Sequence, residues 1–126
     1  MLLHKRTVNS TQSAAIGSST MKIYAATLLQ DGTPGNPPTI TEIKNTIGTV
    51  SSITYTGIGT YRIIFLNPEL TLNKTLVLTS QSGLTNGTFG ARRLNGTTIA
   101  ILTNDSAFVP ADGILSNDYL YVEVYN

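Results

Sequence analysis

The sequence has 126 residues and a mass of 13.5 kDa, room for one domain with its own core. Eight Lys and Arg against seven Asp and Glu leave a net charge of +1, which argues against nucleic acid or a membrane surface as partner, since both attract clustered cations. Cys is absent and the single His is His4, so disulfides, thiol nucleophiles and Cys-bound zinc are excluded, and no imidazole is placed for a Ser–His–Asp triad or an HExxH site.

Charged residues make up 12% of the chain, about half the ~25% of an average soluble domain, and 20 Thr and 10 Asn take their place. Leu, Ile, Val and Phe supply 35 of the 126 residues, above the ~20% that marks an unfolded composition. No apolar run reaches the ~18 residues of a membrane span. The opening Met1-Leu2-Leu3-His4-Lys5-Arg6 lacks the apolar stretch of a secretion signal.

In chain order, residues 1–20 come first and read as an extended N-terminal arm. The segment TVNSTQSAAIGSST at 7–20 is small and polar, with only Val8 and Ile16 as bulky anchors. Such a segment cannot offset its own ordering entropy. Leu2 and Leu3 with Lys5 and Arg6 beside them suit a docking peptide, with the leucines buried and the cations oriented on an acidic neighbour.

From residue 21 to 126 the text changes to short β-branched and aromatic runs near 22–29, 41–47, 51–56, 60–66, 74–80, 88–93, 97–103 and 118–125. Turn signals separate them, among them Asp31-Gly32, Asn36-Pro37-Pro38, Asn86-Gly87, Asn95-Gly96 and Asp112-Gly113. The pattern predicts an all-β domain, an antiparallel, jelly-roll-like β-sandwich of about eight short strands. Residues 41–48, TEIKNTIG, are the one place where a helical turn competes. Gly57 and Gly59 are expected to hold a tight connection through left-handed backbone.

Period-2 alternation assigns the faces. In the last run Leu120, Val122 and Val124 point one way and Tyr119, Tyr121, Glu123 and Tyr125 the other, so the aliphatic set should enter the core. Tyr61, Ile63 and Phe65 form one face of their run, and Ile99 and Ile101 oppose Ala100 and Leu102. Leu76 and Leu78 oppose Val77. Several strands thus carry apolar residues on both faces, which fits partial cover by loops or an oligomer built through an outer sheet. Tyr119, Tyr121 and Tyr125 are the interface candidates; a sugar-stacking platform is the alternative use of the same rings.

No constellation suggests catalysis. The carboxylates number only Glu42, Glu69, Glu123 and four Asp, and no cofactor or metal site is expected. Asp105, Asp112 and Asp118 share one stretch but match no calcium-loop spacing. The Asn-x-Ser/Thr triplets at Asn9, Asn73, Asn86, Asn95 and Asn104 are expected by chance at this composition.

A family resemblance emerges from the middle and end of the domain. Tyr24, Leu28, Gln30, Gly32, Thr33 and Pro37 are followed by Asn45, Thr46 and Gly48, then by Thr56, Gly57, Gly59, Tyr61, Ile63 and Phe65, and by Asn73 and Lys74. The end adds Ala111-Asp112-Gly113-Ile114-Leu115 and Tyr121-Val122-Glu123-Val124-Tyr125. Over residues 22–126 this resembles a β-domain of small structural proteins of tailed bacteriophages, and its G-x-G-x-Y-x-I-x-F strand also occurs in C1q-like trimeric jelly rolls. The resemblance implies a non-enzymatic virion component on the particle surface, made in the bacterial host cytoplasm. It further implies a homo-oligomer, a trimer by preference, serving in head decoration or a head fibre. The arm would then attach it to other virion proteins. A receptor- or glycan-binding module of a tail fibre is the alternative.

Overall fold

A computed structural model describes residues 21–82 and 86–126. The arm read at 1–20, with Leu2, Leu3, Lys5, Arg6, Val8 and Ile16, lies outside the described residues.

Eight strands follow one another: β1 (Met21–Leu29), β2 (Thr39–Asn45), β3 (Val50–Gly57), β4 (Thr60–Phe65), β5 (Thr75–Ser80), β6 (Gly87–Arg93), β7 (Thr98–Asp105) and β8 (Ser116–Tyr125). They form two four-stranded sheets, ordered β2-β1-β8-β5 (sheet A) and β3-β4-β7-β6 (sheet B), with every pairing antiparallel. The result is the all-β sandwich that the turn spacing predicts. The first and last strands, β1 and β8, pair at the centre of sheet A. The β1–β2, β3–β4 and β6–β7 connections stay within a sheet, and the others pass between sheets.

The core lies between the sheets and follows the alternation. Leu120, Val122 and Val124 are buried from β8, Tyr61, Ile63 and Phe65 from β4, and Ile99 and Ile101 from β7. Tyr24 of β1 meets Phe65 edge-to-face, ring centres 5.4 Å apart at 87°, the arrangement that ring quadrupoles favour. On β5 the inward residue is Val77, so Leu76 and Leu78 stand outside.

One local alternative is decided and one expectation is corrected. Residues 41–48 make no helical turn: β2 runs through Asn45, whose Oδ1 accepts the Ile47 and Gly48 N–H groups, each at 3.1 Å, while Nδ2 donates to the Gly48 carbonyl at 2.8 Å. This side-chain turn supplies the bonds that a helical turn would have made. Of the two glycines at the β3–β4 connection only Gly59 is left-handed, at φ 66°, and a Cβ there would strike the Thr103 carbonyl. Gly57 has open space where a Cβ would stand and ends β3 with no positive φ.

Candidate interaction face

The outer face of sheet A is built by the strand period. β8 turns Tyr119, Tyr121, Glu123 and Tyr125 away from the core, and its neighbours add apolar residues at the same level. Ile23, Glu123 and Leu76 form one row across β1, β8 and β5; Ala25, Tyr121 and Leu78 form the next. Leu76, Leu78 and Tyr119 are 44%, 50% and 49% exposed, so this is a continuous apolar face rather than a scatter of single residues. The sequence reading named its three tyrosines but not the leucines, because alternation alone does not say which side of β5 faces inward.

Glu123 sits in the middle of this face. Its Oε2 accepts the Tyr121 hydroxyl at 2.7 Å and its Oε1 accepts the Tyr125 hydroxyl. These two bonds, Tyr125 first, hold the carboxyl below its ordinary range and push both phenols up. The Tyr-x-Glu-x-Tyr spacing puts all three groups on one side of a strand, the signal from which this trio can be read. A negative charge is thereby fixed beside the apolar residues of β5 and β8, while Lys44 of β2 lies beyond Ala25 in the Tyr121 row.

At the loop end of the sandwich the polar residues work inward. Asp112 accepts the Tyr61 hydroxyl at 2.6 Å, the Tyr55 hydroxyl at 2.7 Å and the Gly59 N–H at 2.9 Å. Burial pushes this carboxyl up, but the three donors outweigh burial and hold it below its ordinary value. The buried Gln30 takes the Gly32 and Gly113 N–H groups on Oε1 and donates Nε2 to the Thr33 and Asn36 carbonyls. Asp118 accepts the Ser82 and Ser116 N–H groups, and Asp105 accepts those of Ala107 and Val109. Asp105, Asp112 and Asp118 therefore tie down separate loops instead of converging on a cation, and no metal-binding group is found among the described residues.

An open depression of about 490 Å³ lies beside the β2–β3 connection, lined by Glu42, Asn45, Thr46, Gly48, Thr49 and Val50. Close by, the buried Tyr24 hydroxyl makes no hydrogen bond within ordinary limits. Burial first, then the Glu42 carboxylate, push its ionisation up.

Fold and face together define an all-β sandwich with aromatic and aliphatic residues exposed on the outer side of one sheet among the described residues. No protein-family model, no curated protein and no solved structure matches the chain.

Proposed function

We propose that the chain is a non-enzymatic structural subunit of a tailed-bacteriophage virion. In this reading it is a homo-oligomer, a trimer by preference, that decorates the head or forms a head fibre. It is held on the particle surface by contacts of residues 1–20 with other virion proteins.

The observation that carries this reading is the outer face of sheet A. Tyr is enriched at protein interfaces because it gives large apolar contact area with a polar tip, and here Tyr119, Tyr121 and Tyr125 stand among exposed leucines. The virion assignment rests on the family resemblance, several of whose residues (Gln30, Asn45, Gly59, Tyr61 and Asp112) secure loops in the fold.

Light scattering of the full chain tests the reading: a mass three times 13.5 kDa supports it, and a monomer at high concentration removes its main support. The second reading, a receptor- or glycan-binding module, draws on Tyr121 and Tyr125 around a carboxylate, since aromatic faces with an acceptor beside them suit a sugar. A glycan array separates the two, because saturable binding belongs to the module and not to a decoration subunit.

A further inference from the structure

The outer face of sheet B differs in charge from that of sheet A. Arg62 of β4, Ala100 of β7 and Arg92 of β6 share one row, which places the two arginines two strand spacings apart, roughly 10 Å. The outward positions of these strands and of β3 carry no carboxylate. The only ion pair among the described residues is Lys22–Glu69, 3.1 Å, so neither arginine is paired with a described carboxylate.

The two charged regions also lie near one rim. β5 is an edge of sheet A and β6 an edge of sheet B, and the Thr79 hydroxyl of β5 donates to the Phe89 carbonyl of β6 at 3.4 Å. Glu123 is one strand in from this rim on one face, and Arg92 is on the rim strand of the other.

Resting on the reading that the chain self-associates, we propose that its contact is heterologous. The β8–β5 half of sheet A on one copy receives the β6 side of sheet B on the next, with Glu123 facing Arg92. Packing the β8–β5 half of sheet A on itself about an axis through Glu123 would bring two carboxylates together, the Lys44 of this sheet lying two strands away on β2, whereas sheet B offers a guanidinium that pairs with the carboxylate and stacks on the Tyr121 and Tyr125 rings. Contacts between unlike patches close into a ring when the rotation allows it and otherwise run on as a filament.

The test is the solution mass of the full-length chain and of Arg92→Glu, Glu123→Arg and the double variant, with circular dichroism as the check on folding. Each single change is expected to lower the mass to that of one subunit, and the double variant, with its charges exchanged, to regain the wild-type mass. Retention of mass by Arg92→Glu overturns the proposal, and if Glu123→Arg alone dissociates, sheet A packs on itself. Dissociated single variants that the exchange does not rescue overturn the pairing. Should Glu123→Arg fail to fold, the exposed Arg92→Glu decides alone. A monomeric wild type rejects self-association itself, a result distinct from failure of this contact.

Discussion

Tyr61 and Asp112 are fifty-one positions apart in the chain, and the phenol of the first donates to the carboxylate of the second at 2.6 Å. With the Tyr55 hydroxyl and the Gly59 N–H on the same carboxylate, one side chain joins the β3–β4 hairpin to the β7–β8 connection. The ring of Tyr61 is fully buried, so its hydroxyl depends on this partner.

Asp112→Ala is expected to cost about 2–4 kcal/mol, because it removes hydrogen bonds to a charged group and leaves the Tyr61 hydroxyl without its acceptor. Asp112→Asn, which keeps one acceptor oxygen, should cost less. Urea unfolding followed by circular dichroism measures both, and a loss below about 0.5 kcal/mol for the alanine variant contradicts the role of this joint.

Acid should weaken the fold through Asp112 and Glu123. Both are held below their ordinary values of 3.8 and 4.5, so each contributes stability that is present above those values and lost as pH falls through the folded ones. Thermal melts of the wild type should shift down across that acid range. Asp112→Asn should melt lower at neutral pH and show a shallower acid slope; an unchanged slope separates this carboxylate from the acid response.

On the proposed self-association, Tyr121→Ser should reduce the solution mass and leave the β-sheet signal intact, since the ring faces away from the core. Light scattering beside circular dichroism reads both quantities. An unaltered oligomer would remove this face from the contact.

Gly59→Val is expected to destabilise by more than about 1 kcal/mol, because left-handed backbone is costly for a β-branched residue and the Thr103 carbonyl blocks the Cβ. Gly57→Val, with open space at its Cβ, should change stability by no more than about 0.5 kcal/mol. Equal losses in the two variants would show that left-handed backbone is not what matters at this connection.

On the proposed virion role, deleting residues 2–20 should leave the domain folded and self-associated but absent from phage particles when it is supplied as the only copy. Density-gradient purification of particles followed by detection of the subunit makes the measurement. Normal incorporation rejects the anchoring role of the arm.

Strands and faces were largely legible because period 2 is a local property. Leu120, Val122 and Val124 declared their side without knowledge of any neighbour. Strand order was not legible, since nothing local in β5 says that Val77 will lie beside Val122. The same limit hid Leu76 and Leu78 on the outer face. Asp112 read as a turn residue, and nothing local tied it to Gly59 and Tyr61, which it meets only in the folded domain. The row of Arg62, Ala100 and Arg92 depends on how β4, β7 and β6 align, which no local pattern reveals.

The position of β8 has a consequence for synthesis. It is the inner strand on which β1 and β5 both pair, yet it is the last of the eight to leave the ribosome. Sheet B can assemble once residue 105 has emerged, while sheet A has no spine until residues 116–125 follow. Until then β1–β2 and β5 wait with open backbone edges, the stage at which neighbouring nascent chains are most prone to mispair. A message cut short before this strand yields a chain with half a sandwich, which neither packs its core nor presents the aromatic face. Emergence of β8 therefore completes the core and the aromatic face of sheet A in a single step.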